Sequence, residues 1–163
     1  MNGFYHLFRM AIPILLYFFI TTNYCIAQKF EIKYYPAFHN KSKCTIYCEN
    51  DSCKIQLDVF AINDSAKSIW SETRLVPVES LNQLKDFFKT EEDLFELDVL
   101  GLDGIHIIGI YETGTLIKKF KFWSPLKRTR EYELFKISIE IMGNSLKTRT
   151  SKRYLRSLKK YLN

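Results

Sequence analysis

Three cysteines and a histidine lie close enough in the sequence to suggest shared chemistry. Cys44, Cys48 and Cys53 are separated by three and four residues, and His39 precedes them. A zinc site needs a second Cys or His pair at short spacing, which this segment lacks. A nucleophile pair of Cys44 and His39 has no supporting motif. The spacing therefore favours a disulfide, and we predict no metal site, no cofactor and no catalytic residue.

The pairing of the cysteines follows from the turn between them. The polar cluster 49–52 separates two strand-like runs and predicts a hairpin with a four-residue loop. In such a hairpin Cys48 and Cys53 lie opposite each other at bridging distance, and Cys44 lies opposite Leu57. We therefore predict a Cys48–Cys53 disulfide and a reduced Cys44 that is buried as a small apolar residue.

The C-terminal segment 147–163 carries a second set of residues with binding chemistry. It contains no acid and seven bases, namely Lys147, Arg149, Lys152, Arg153, Arg156, Lys159 and Lys160. A basic helix with an apolar stripe can contact an anionic membrane surface, an envelope component or a protein partner. The simpler interpretation is that the stripe packs on the domain and the bases face water. Nucleic acid is the least favoured partner, because an exported protein rarely meets it.

Net charge shows that the basic character belongs to this segment alone. The whole chain carries +6, and Arg9 is the only charge in residues 1–27. Residues 28–163 therefore carry +5, of which the segment contributes +7. Residues 28–146 are left with −2, so the domain itself is not basic.

Other catalytic signatures are missing from the sequence. It has no Gly-x-Ser-x-Gly and no His-Glu-x-x-His, and its six glycines form no phosphate-binding loop. Asp103 precedes Gly104, a dipeptide typical of turns. His106 is expected on a strand opposite Lys121, as a surface or half-buried residue.

The first 27 residues have the composition of an export signal. Arg9 is followed by the apolar run Met10–Ile20, and the small Ala27 ends a short polar stretch. This apolar run is shorter than the roughly 20 residues that span a bilayer. We therefore expect a signal peptide over 1–27 and a periplasmic or secreted protein. An uncleaved membrane anchor and lipidation at Cys25 are the alternatives.

Alternating hydrophobicity predicts the strands of one α+β domain over 28–146. In the first strand Phe30, Ile32 and Tyr34 share a face. We expect an antiparallel sheet of five to seven strands, with a further strand-like region starting at Leu94. A two-residue turn at Thr113-Gly114 closes the last hairpin. The predicted strands are 29–35, 44–48, 53–62, 68–76, 105–111 and 116–123.

That hairpin turn sets a register for the last two strands. It pairs Tyr111 with Leu116, Ile107 with Phe120 and Ile105 with Phe122, all on the core face. The opposite face of the hairpin is mixed in polarity, so we expect it to be partly covered.

Apolar residues at three- and four-residue spacing predict three helices. The first covers 81–89 and begins with a capping box formed by Ser80 and Gln83. The second covers 128–143, started by Ser124-Pro125 or near Thr129 and ended by Gly143-Asn144. The third is a basic C-terminal helix over 151–162. We expect the first two helices to pack on one face of the sheet.

One stretch of the chain has a recognisable order of elements. Leu102-Asp103-Gly104 leads into the hairpin 105–123, and Trp123-Ser124-Pro125 leads into a helix through Met142. This order resembles a pattern seen in small exported bacterial proteins of unknown function. The resemblance implies an α+β fold and secretion, and it transfers no catalytic residue.

Two classes of function follow from these observations. The first is a non-catalytic exported module that binds a protein or an envelope component. The second is a small hydrolase-like enzyme with an unrecognised acid/base site. The sequence contains no convergent set of Cys, His, Asp and Ser, which favours the first class. Two carboxylates facing each other in a cleft would favour the second.

Processing at the predicted signal can be tested directly. We expect the exported protein to begin at Gln28, with or without cyclisation to pyroglutamate, because Ala27 is the small residue that a signal peptidase prefers. N-terminal peptide mapping and intact-mass measurement check this. Recovery of peptides from 1–27 on the exported protein would show that the segment is retained.

Overall fold

Six antiparallel strands of the described chain form one sheet in the computed structural model. They are β1 (Gln28–Pro36), β2 (Ser42–Glu49), β3 (Ser52–Ala61), β4 (Asp64–Val76), β5 (Ile105–Thr113) and β6 (Leu116–Trp123). The order across the sheet is β4-β3-β2-β1-β5-β6. The first four strands form a meander, and β5 returns to pair with β1. Three helices accompany the sheet: α1 (Asn82–Lys89), α2 (Arg130–Ser145) and α3 (Arg149–Lys159). The fold is therefore α+β, as the patterning predicted.

The structure describes residues 28–49, 52–62, 64–90 and 103–162. Several predicted features lie outside these residues. They are the signal segment 1–27 with Cys25, the middle of the turn at 50–51, the strand start at Leu94, and Leu102. The acidic residues 91–93 lie outside them as well.

The core lies between one face of the sheet and the helices. Phe30, Ile32 and Tyr34 alternate toward this face in β1 and are all buried, as their spacing predicted. The Tyr34 hydroxyl donates to Ser138 Oγ of α2 at 2.8 Å, and Ser138 donates to the Phe135 carbonyl at 2.7 Å. A buried hydroxyl pair that is fully hydrogen-bonded in this way avoids the cost of unsatisfied polar groups. It also ties the central strand to α2.

The cysteines take the arrangement expected from the hairpin. Cys48 and Cys53 lie opposite each other in the β2–β3 pair and form a disulfide, with their Cα atoms 4.1 Å apart. Cys44 lies opposite Leu57 and is buried as a free thiol. The bridge ties the two strands beside their turn, where few residues separate them.

The register of the last hairpin differs from the prediction by two residues. Thr113 pairs with Leu116, so the loop is Gly114-Thr115. Gly114 takes a φ of 55° at the first loop position. In the predicted loop the first position would be occupied by Thr113. Because β-branched residues avoid positive φ, that loop is disfavoured.

A second glycine fixes the same register from within the strand. Gly109 rather than Ile107 pairs with Phe120, and a Cβ at Gly109 would collide with the Phe120 ring. A shift of two residues keeps each side chain on its face. Ile107 and Phe122 therefore stay in the core, but Leu116 is 38% exposed instead of buried.

Helix boundaries depart from the predicted ones where other groups provide the caps. Ser80 does not cap α1, because it lies inside a 3-10 turn, Val78–Leu81, that precedes the helix. The N-cap position is Leu81, which makes no side-chain cap hydrogen bond. Ser124 is also not a helix cap, since its Oγ accepts from the Ile105 N–H at 3.0 Å. The cap of α2 is Thr129, the second of the two predicted starts, and its hydroxyl accepts from the Tyr132 N–H at 3.2 Å.

The ends of α2 and α3 are also shifted. Helix α2 continues past the predicted stop at 143–144 to Ser145, and the Leu146 N–H donates to the Met142 carbonyl. Helix α3 begins at Arg149, two residues earlier than predicted, because the Thr148 hydroxyl caps it. A short 3-10 turn, Lys160–Leu162, follows α3.

Helix α3 packs its apolar stripe against the rest of the domain. Leu155 and Leu158 are part of the core, and Tyr154, Tyr161 and Leu162 lie partly buried against it. The segment that carries the bases is thus anchored through its opposite side. No helix within the described ranges combines the length and apolarity that a membrane crossing requires.

The anchoring of α3 predicts the effect of a single truncation. Leu158→Ala should lower the free energy of unfolding by about 2–5 kcal/mol, because the side chain is fully buried and its removal leaves a cavity. Chemical denaturation followed by circular dichroism measures this. Leu126→Ala is the control, since the same change at a side chain 74% exposed should cost about 0.5 kcal/mol or less. Equal stability of the two variants would show that α3 is not docked.

Candidate functional site

A groove of ≈ 1090 Å³ runs between α3, the paired ends of β3 and β4, and the turn between β1 and β2. One side of it is formed by four bases, namely Arg149, Arg153 and Arg156 of α3 and Lys160 directly after the helix. They follow each other at steps of four, three and four residues, which places them on one face of the helix. At 1.5 Å per residue they span about 16 Å along the helix axis.

Among the described residues, the charged groups that line the groove are all positive. The groove lining contains no carboxylate among the described residues, and none of the four bases forms an ion pair within that part of the chain. All four side chains are exposed. A concave surface lined by charge of one sign concentrates the field and attracts counter-ions. The groove is therefore suited to an anionic ligand.

The other bases predicted to contact an anionic surface do not line the groove. Lys152 and Lys159 are exposed on a different side of α3. Lys147 precedes the helix, and its Nζ donates to the Asn144 carbonyl. The structure thus brings four of the seven predicted bases together and leaves three apart.

The floor of the groove is apolar and depends on a β-bulge. Val59 pairs with Trp70 and Phe60 with Ser68, so Ile69 is an extra residue in β4. In a regular strand Ile69 and Trp70 would point to opposite faces. The bulge allows both to line the groove together with Val59.

Tyr154 joins α3 to the far side of the groove. Its hydroxyl lies 3.1 Å from the Asn40 carbonyl oxygen and 2.8 Å from Ser42 Oγ. Burial raises the pKa of this hydroxyl above its usual value, and the hydrogen bond to Ser42 opposes that rise. Tyr154 is therefore a neutral structural link. It sets the distance between α3 and the turn that carries His39 and Asn40.

Glu72 of β4 holds the start of α3. Its carboxylate accepts from the backbone N–H of Lys147 at 3.0 Å and of Thr148 at 3.3 Å. It also accepts from the hydroxyls of Thr148 and Ser151 and from Arg74 Nε. Burial by itself raises the pKa of Glu72. The hydrogen bonds, led by that of Ser151, outweigh burial and lower the pKa to about 2.

The sequence of α3 explains why this contact is needed. The first turn of a helix favours acidic residues because of the helix dipole. The first turn of α3 contains no acid and includes Arg149, with Lys147 just before it. Glu72 supplies the missing negative charge from another element. The basic helix is thereby held against the strand that forms the floor of the groove.

The residues considered for catalysis or metal binding are not brought together by the fold. Cys44 is in the core, where burial raises the pKa of its thiol, whereas His39 lines the groove. Asp103 is exposed at the bend before β5. His106 pairs with Trp123 rather than with Lys121, and its ring lies half-buried between Tyr35 and Trp123. The described residues contain no group of three His, Cys, Asp or Glu placed to hold a metal.

A second cavity lies between α1 and α2 and contains acidic residues. Asp86, Glu133 and Glu140 line it and are all exposed. Asp86 pairs with Lys89 at 2.7 Å, and Glu140 lies 3.9 Å from Lys136. All three acids are exposed to solvent and two of them are paired, so they form an ordinary polar surface.

The sequence pattern identifies the bases of the groove but not its other parts. Ile69 and Trp70 were expected only as strand residues, and Glu72 carried no signal at all. These residues lie about 80 positions from α3 in the sequence. No local pattern predicts such a contact.

Comparison of the chain with protein-family models, with curated proteins and with solved structures finds no match. Function is therefore inferred from the site itself.

The contact of Glu72 with α3 predicts a dependence of stability on pH. Because folding lowers the pKa of Glu72, its contribution to stability is complete above about pH 4.5 and is lost as the pH falls toward about 2. Glu72→Gln should therefore cost about 2 kcal/mol at pH 7, and the deficit should shrink toward pH 2.

Thermal unfolding of the parent and of Glu72→Gln between pH 7 and pH 2 measures this difference. Glu79→Gln, which removes an exposed carboxylate from the 3-10 turn, is the control and should follow the parent. A deficit for Glu72→Gln that stays constant with pH would contradict the assigned role of the charge.

Proposed function

We propose that the protein is an exported, non-catalytic binding module that takes an anionic protein partner or envelope component in the groove beside α3. The observation that carries this proposal is the row of four bases, Arg149, Arg153, Arg156 and Lys160, on a concave surface whose described lining has no acid. Such a row attracts anions over a distance and holds them on contact. The apolar floor beneath it offers further binding energy.

Two further observations support the proposal. The disulfide between Cys48 and Cys53 suits the oxidising compartments that exported proteins reach, in agreement with the composition of residues 1–27. Helix α3 is anchored by Leu155, Leu158 and Glu72, so its bases are held in place rather than on a loose end. Rigid placement lowers the entropic cost of binding.

The alternative, a small hydrolase-like enzyme, requires two facing carboxylates in a cleft. The groove offers none among its described lining residues, and the acids of the second cavity are exposed. No specific observation favours this alternative.

Two charge-matched variants test the proposal. Arg153→Gln with Arg156→Gln removes two charges from the groove, whereas Lys152→Gln with Lys159→Gln removes two from the same helix outside it. We expect the groove variant to bind polyglutamate or vesicles of anionic phospholipid about tenfold more weakly than the parent, because charge-assisted contacts are lost. The control variant should lose much less.

Fluorescence titrations at low and moderate salt measure these affinities, and circular dichroism confirms that both variants are folded. Equal weakening by the two variants would show that net charge, and not the groove, binds anions. Absence of binding by the parent to either anion would refute the proposal.

A further inference from the structure

Arginine and lysine are divided unequally between the groove and the rest of the C-terminal segment. All three arginines of this segment, Arg149, Arg153 and Arg156, line the groove. The three bases outside it, Lys147, Lys152 and Lys159, are all lysines. A guanidinium binds a carboxylate or phosphate through two parallel hydrogen bonds, whereas an ammonium acts as a point charge. The groove therefore suits directed contacts with individual oxyanions.

The spacing of the bases suits a linear ligand with regular charges. Successive bases advance by about 6, 4.5 and 6 Å along the axis of α3. In an extended peptide the side chains on one side repeat about every 6.7 Å. Long arginine side chains can adjust to the remaining difference. Three acidic residues at alternate positions of an extended peptide of five or six residues would thus meet three successive bases.

The apolar floor adds a second requirement on the ligand. Val59, Ile69 and Trp70 form it, and Ile69 is 51% exposed. In an extended peptide the residues between the acidic ones point to the opposite side. Apolar side chains at these positions would cover the floor while the acidic ones face the bases.

We propose that the groove binds an extended segment of a partner protein, about five or six residues long, in which acidic and apolar residues alternate. This proposal rests on the proposed function and names the ligand class for the same site. The row of bases extends about 16 Å along α3, which suits a chain. A flat bilayer surface would reach the rim of a concave groove and leave its floor uncovered.

Two peptides of identical composition test the pattern. One is a labelled, end-capped hexapeptide in which Glu and Val alternate, and the other has three Glu followed by three Val. We expect the alternating peptide to bind about tenfold more tightly in fluorescence anisotropy, because only its pattern places acids and apolar groups on opposite sides. Vesicles of anionic phospholipid are titrated in parallel.

A charge-conserving variant tests the role of the arginines. The triple change Arg149→Lys, Arg153→Lys and Arg156→Lys keeps every charge but removes the paired hydrogen bonds. We expect it to lose about tenfold in affinity for the alternating peptide while staying folded by circular dichroism. Lys152→Arg with Lys159→Arg, outside the groove, is the control and should not change binding.

The remaining outcomes of these experiments distinguish failure of this inference from failure of the proposed function. Equal binding of both peptides, with the lysine variant unaffected, would overturn the inference. If Arg153→Gln with Arg156→Gln still weakened anion binding in that case, the proposed function would remain supported. Binding of vesicles without binding of peptides would identify a lipid surface as the ligand and overturn the inference. If no anion binds, both proposals are wrong.

Discussion

The contact between the Glu72 carboxylate and the start of α3 is the constraint on which the site depends. Helix α3 carries bases from its first turn, where the helix dipole already presents positive charge. Left alone, that end of the helix would be destabilised by repulsion among like charges. Glu72 places one negative charge against two backbone N–H groups and two hydroxyls at this end. The helix therefore forms where β4 can supply that charge, and the groove is the space between the two elements.

Three sides of α3 have separate roles, and the period of the helix keeps them apart. Leu155 and Leu158 enter the core, and Tyr154 reaches the turn between β1 and β2. The arginines remain on the side that faces the groove. Stability and binding thus reside in one helix but in different side chains.

The sheet contributes to the site through one irregularity. In a regular β4 only one of Ile69 and Trp70 would line the groove. With the bulge, both residues line it. Bulges commonly redirect side chains near binding sites. Because β4 is an edge strand, it can accept an extra residue without disturbing a neighbour on its outer side. The apolar floor therefore lies on an edge strand, where the sheet can deviate.

The sequence by itself determined the elements that rest on local periodicity and local geometry. The alternation in β1, the pairing of Cys48 with Cys53 across a short turn, and the cluster of seven bases were all readable without a structure. Tertiary structure decided what local rules leave open. Gly109 and Gly114 set the hairpin register through a neighbouring ring and a turn conformation. Thr148 and the distant Glu72 set the start of α3, and the bulge at Ile69 completed the groove. The contact of Glu72 with Thr148 joins residues 76 positions apart. Its energy depends on burial and distance, which appear only once the chain has folded.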